Sequence, residues 1–219
     1  MTSLQTTFDR APRFILLLAM ILLELMLAPL FAKSDLGLHI AQAMAVFLML
    51  AALWAAGTVR GAVLLFAPTV AMHLLFVYQG GDVLRAASLL FRIAFFAYMT
   101  GLIMWRTARE LEVSLDTIAG AACAYTLLAV VWAGMYAFLE VIHPGSFNIP
   151  DVWRSGSVRD VAPALAYFSF VTLTTVGYGD ITPVWPGAAG LAVTEAVVGQ
   201  LYLAITIARL VGLHASRRG

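Results

Sequence analysis

The sequence predicts an all-α membrane protein with six transmembrane helices and one short apolar segment that enters the bilayer without crossing it. Three observations predict this. Hydrophobic residues make up 62% of the 219 and charged residues only 11%, with mean hydropathy +0.92. A soluble domain runs nearer half apolar and a quarter charged. The apolar residues gather into six long runs, each near the ~20 residues of helix that a bilayer core requires. The basic residues between the runs segregate to one side of the predicted membrane.

The same arithmetic excludes other classes. An ordinary globular enzyme, a disordered chain and a secreted disulfide scaffold do not carry this composition. Thirteen Lys and Arg against twelve Asp and Glu leave a net charge of +1, so there is no basic field to attract nucleic acid. Cys123 is the single cysteine and has no intrachain partner. No Walker loop, zinc-spaced Cys/His cluster or nucleophile triad is present.

The predicted spans cover about 14–32, 36–56, 62–78, 86–105, 118–142 and 188–213. A shorter apolar run over 161–174 is too brief to cross. The first run is longer than the apolar stretch of a signal peptide and is read as a retained span. Six crossings place both termini on one side. Arg10, Arg13, Arg60, Arg106, Arg109, Arg217 and Arg218 fall there, with Arg209 at its edge, whereas Lys33, Arg85, Arg154 and Arg159 fall on the other. By the positive-inside rule both termini are cytoplasmic. Residues 106–117 mix charged and apolar types. They read either as a short interfacial helix or as a plain solvated linker.

The short run leads into Thr174-Thr175-Val176-Gly177-Tyr178-Gly179-Asp180. On this TTVGYGD motif, with a helix before it and another after it, the sequence resembles the pore-loop potassium channels over roughly 117–212. The resemblance implies a re-entrant pore helix followed by a selectivity filter. Physics accounts for the residue types. A potassium ion must exchange its hydration shell for oxygens of comparable strength, and rings of backbone carbonyls from four chains supply them. Aiming successive carbonyls at one axis needs backbone angles of alternating hand, which glycine reaches without steric cost, hence Gly177 and Gly179. By the resemblance, Thr175, Val176, Gly177 and Tyr178 line the ion sites, Thr175 adds its side-chain oxygen, and Gly179 stands at the outer rim. Potassium is then the permeant ion, with no resident cofactor. Thr174, Asp180, Tyr167 and Glu195 support the filter, with Tyr167 placed to donate to Asp180. Some bacterial members carry a carboxylate where this chain has Val171, so that pairing with the filter aspartate is missing. One chain supplies one loop, which implies a homotetramer in the lipid bilayer.

In the last helix, Glu195, Gly199, Tyr202, Thr206 and Arg209 share one face by their spacing. Gly199 matches the family's hinge glycine; the alternative is a small residue that lets helices pack closely. The polar stripe, and Gln200 beside it, face either the pore cavity or the neighbouring helices.

Six helices with the filter between the fifth and sixth is the layout of the voltage-gated-like superfamily. The implied domains are a four-helix sensor-like unit with its linker over 1–116, a pore domain over 117–213 and a short tail over 214–219. A basic residue at every third position of the fourth span would mark a voltage sensor, but Arg92 is the only one between Arg85 and Arg106. One mobile charge per subunit, worth about 2.3 kcal/mol per 100 mV, falls well short of the three or four that sensors use. Glu24, His73 and Arg92 come to similar depths near mid-bilayer at about 1.5 Å rise per residue. They are expected to form a buried polar cluster, either structural or proton-sensitive. Twelve arginines to one lysine suit a GC-rich prokaryotic genome. The expected activity is passive, potassium-selective conduction without chemical turnover. The alternatives are a weakly selective monovalent cation channel and a subunit that needs a partner. A secondary transporter would show inverted repeats and broken helices in both halves, and neither is seen in the sequence.

Overall fold

The computed structural model describes residues 12–31, 35–57, 60–110, 113–153 and 161–216. Arg10, Lys33, Arg154, Arg159, Arg217 and Arg218, which entered the orientation argument, lie outside these residues. Among the described residues, seven α-helices follow in order: α1 (Arg13–Phe31), α2 (Asp35–Ala55), α3 (Arg60–Gln79), α4 (Asp82–Arg109), α5 (Leu115–Ile142), α6 (Ala162–Leu173) and α7 (Pro186–Ser216). A two-stranded antiparallel ladder joins β1 (Phe147–Asn148) to β2 (Thr182–Pro183). Among the described residues, α3, α4, α5 and α7 are long and apolar enough to cross a bilayer. Helices α1 and α2 add apolar rods of 19 and 21 residues, and α6 has only 12.

The stretch over 106–117 divides between the end of one helix and the start of the next, and residues 111–112 lie outside the described residues. Helix α4 continues to Arg109, and α5 begins at Leu115. Arg109 lies over the Trp105 ring at 4.2 Å, which holds the last turn of α4 helical. A capping box then starts α5. The Ser114 hydroxyl accepts the Thr117 N–H at 3.0 Å, satisfying a donor that has no partner within the helix. Asp116 in the same turn accepts the Phe14 and Ile15 N–H groups. One carboxylate therefore covers the exposed start of α1 from another helix.

In hydrocarbon, helices gain little by hiding apolar surface and associate instead through close packing. The buried face of α5 is made for that, being rich in small residues: Ala119, Gly120, Ala121, Ala124, Ala129, Ala133 and Ala137. It is the central helix, packed by α4, α1 and α6. At Gly134 a Cβ would meet Ile93 Cγ1 at 2.8 Å, and at Gly120 it would meet Thr107 and Phe14 at 3.0–3.1 Å. Two cores result. Leu17, Ile21, Met49, Phe95, Met99 and Leu127 join the first helices to α5. Tyr136, Phe147, Leu165, Phe168 and Ile181 join α5 to α6 and the outer loops. Pro68 sits inside α3. The adjacent Thr69 hydroxyl donates to the Leu65 carbonyl at 2.6 Å and reaches the Phe91 carbonyl of α4 at 3.3 Å.

Substituting Gly134→Leu drives a side chain into Ile93 and parts α4 from α5. The expected destabilisation is about 1–3 kcal/mol, read as a lower thermal unfolding midpoint in detergent, whereas Gly101→Leu, with open space around it, should leave the midpoint in place.

Candidate functional site

Helix α6 starts with a proline in its first turn, where a missing N–H costs nothing, and it ends at Leu173. The chain then leaves the helix without losing contact with it. The N–H groups of Thr174, Thr175, Val176 and Gly177 donate to the carbonyls of Phe170, Thr172, Val171 and again Val171 at 3.0–3.3 Å. The donors of the segment are thus spent on the last turn of α6. Beyond them the backbone alternates in hand: φ is 60° at Thr175, 58° at Gly177 and 78° at Gly179. Gly177 and Gly179 take this conformation freely. Thr175 does not, and a left-handed threonine is uncommon enough to mark a site the surroundings impose. Residues 174–180 are all exposed in the single chain.

Behind the segment stands an aromatic stack. Tyr167 lies 6.4 Å from Tyr178 with rings 2° from parallel, and Trp153 stacks on its other side at 4.8 Å. The Tyr167 hydroxyl faces the Asp180 carboxylate. Outside it, the short ladder and the Val184 and Trp185 N–H groups on the Ser146 carbonyl tie the loop before α6 to the loop after Asp180. His143 stacks on Trp185 at 4.7 Å and belongs to this tie.

The polar stripe of α7 faces its own chain. Glu195 is fully buried and accepts two hydroxyls, Tyr136 of α5 and Ser169 of α6, each at 2.5 Å. Ser169 is also within 2.8 Å of the Ala129 carbonyl of α5. Three helices meet on one carboxylate. A turn further along, Gly199 abuts the end of α6, where a Cβ would lie 2.6 Å from Leu173 Cδ1 and 3.1 Å from its carbonyl oxygen. Gly199 thus packs closely against α6, and α7 runs unbroken through it. The Tyr125 hydroxyl donates to the same Leu173 carbonyl at 2.9 Å. Tyr202 stacks on Tyr125 and donates to the Ala121 carbonyl at 2.8 Å, and it is hydrogen-bonded to Thr206. At the far end, Arg209 donates to the carbonyls of Thr107, Ala108 and Glu110 at 3.0, 2.6 and 2.7 Å. It caps the C-terminus of α4, where unpaired carbonyls and the helix dipole favour a cation. Gln200 is exposed on a different face.

Glu24, His73 and Arg92 come from α1, α3 and α4, and both Glu24 and His73 lie within the electrostatic reach of Arg92. His73 is buried. Sequence reasoning missed Tyr125, Tyr136 and Ser169. The signal was Glu195 itself, since a carboxylate in an apolar span requires donors and hydroxyls at its depth on adjoining helices were the candidates.

Fold and site together are those of a multi-pass helical membrane protein, with four helices among the described residues long and apolar enough to cross a bilayer. Residues 125–214 match the family model described as ion channel, the stretch from mid-α5 through α7. The chain is similar to two pore potassium channel c of Oryza sativa subsp. japonica, 38% identical over 85 residues, 39% of this chain and 17% of that protein. It is also similar to protein LctB of Bacillus caldotenax, 29% identical over 113 residues, 52% of this chain and 84% of that one. The chain thus spans less than a fifth of the plant relative and most of the bacterial one. No solved structure matches.

Replacing Glu195 with Ala orphans the buried Tyr136 hydroxyl at about 1–3 kcal/mol and leaves Ser169 only the Ala129 carbonyl, so the thermal midpoint of the purified protein should fall. Glu195→Gln, whose amide offers an acceptor to Tyr136 and a donor to Ser169, should retain most of the stability.

Proposed function

We propose that four copies of this chain assemble around an axis as a potassium-selective channel with passive conduction through Thr175, Val176, Gly177 and Tyr178. The observation that carries the reading is the backbone of this segment. Its N–H groups are tied back into α6 and its hand alternates at Thr175, Gly177 and Gly179, so its carbonyls are the groups left to meet an ion. The name of the plant relative and the TTVGYGD sequence support potassium as that ion.

Fourfold assembly is supported by what one chain leaves uncovered. Val193, Val197, Leu201 and Ile205 form an exposed stripe on α7, and Val176 and Tyr178 are 52% and 71% exposed. Neighbouring copies cover such surfaces in a cyclic tetramer. Irregular backbone at membrane depth is tolerated only inside protein or along water, and a tetramer axis meets that condition for residues 174–180. In this reading α1–α5 and α7 cross the membrane, both termini are cytoplasmic, α1–α4 form a sensor-like unit, and Glu24, His73 and Arg92 hold it together.

The test is ion flux in liposomes containing only this protein. Potassium flux well above sodium flux, lost in Gly177→Val, is the expected result. Equal flux of the two ions would replace it with a weakly selective cation pore, and an assembled but silent tetramer would point to a subunit that requires a partner. In planar bilayers, conductance should depend only shallowly on voltage. Arg92 is the one interior arginine of α4, so the displaced charge should stay under about four elementary charges per tetramer.

A further inference from the structure

A cavity of about 410 Å³ lies between the sensor-like helices and the pore helix. Its walls come from α1, α2, α4, α5 and α6, with Leu25, Ala45, Ala133, Ala166 and Tyr167 among the lining side chains. We propose that this cavity is a binding site for the acyl chain of a membrane lipid.

Size and chemistry agree with a ligand site. Pockets for small molecules run from about 300 to 1,000 Å³ and are mostly apolar with a few polar groups. Here the charged groups are Glu24 and Arg92, which lie on one side and act on each other. The remainder of the wall is aliphatic or aromatic. Away from those two charges the space offers water few of the polar partners it needs. Left empty, it forfeits the dispersion contacts of every group that lines it.

The source of the occupant follows from the mouth. Leu25 lines the cavity and is 42% exposed, and it continues into Leu22, Leu23 and Met26, exposed at 50%, 54% and 73%. That strip of α1 faces hydrocarbon in a bilayer, so the cavity opens onto lipid tails. The opposite wall is Tyr167, the ring stacked on Tyr178 and facing Asp180. A chain in the cavity therefore touches the back of the filter segment.

The full-length protein, reconstituted in phosphatidylethanolamine–phosphatidylglycerol vesicles doped with a phospholipid bearing a diazirine on one acyl chain, is irradiated and its adducts are mapped by peptide mass spectrometry. Adducts are expected on Ala133 and Ala166 as well as on the exposed Leu22 and Met26. Ala45→Phe and Ala133→Phe, which fill the cavity from opposite walls, should each lower the Ala166 adduct several-fold and leave the Leu22 and Met26 adducts unchanged. Adducts confined to Leu22 and Met26, or an Ala166 adduct indifferent to both fillers, would overturn the proposal. So would a photo-crosslink-free α6 covered by a second copy of the chain. The readout is adduct mass and not flux, so a protein that fails to conduct leaves the result decidable.

Discussion

A non-helical segment at membrane depth must have its backbone donors satisfied by protein, because hydrocarbon offers no substitute. That constraint organises the part of this molecule from α5 onward. Thr174 through Gly177 meet it by donating to the last carbonyls of α6, so the segment is only as well placed as the C-terminus of that short helix. A helix of 12 residues has little independent stability, and its position is set from outside. Tyr125 fixes its final carbonyl, Ser169 fixes its middle to α5 and α7, and Phe168 packs against Tyr136 and Phe147.

Helix α7 divides its labour by face. One face carries Glu195, Gly199, Tyr202 and Arg209, and each is engaged with α4, α5 or α6 of the same chain. Another presents Val193, Val197, Leu201 and Ile205 uncovered. Polar contacts settle the helix within the subunit, and apolar surface remains for association. The spacing of three or four residues, or their sum, along both stripes keeps the two functions separate on a single rod.

Arg209 extends the same logic to the first four helices. Its guanidinium gathers three carbonyls at the end of α4, so the C-terminal part of α7 is tied to the end of α4. The reach of a long, forked cation makes this possible; a lysine would offer a point charge in place of the planar fork. The first four helices are therefore joined to the pore helices at two levels, by small-residue packing along α5 and by this cap.

Much was legible in the sequence because hydrophobic length and turn chemistry are local. Helix extents followed from apolar runs, the end of α6 from a motif whose glycines demand positive φ, and the shared face of α7 from the helical period. Glu24, His73 and Arg92 could be brought together because depth in a membrane is countable at a fixed rise per residue. What the sequence left open was which way each face turned. Period places Glu195 and Arg209 on one stripe but does not name the helix opposite, and nothing local marks Tyr136 as a donor or the α4 terminus as an acceptor. The left-handed Thr175 likewise carries no signature in its residue type. Only the tertiary arrangement decided these, because each depends on a partner more than twenty residues away or on constraints imposed by the end of α6, and such pairings are set by how rods pack and not by the order of residues along any one of them.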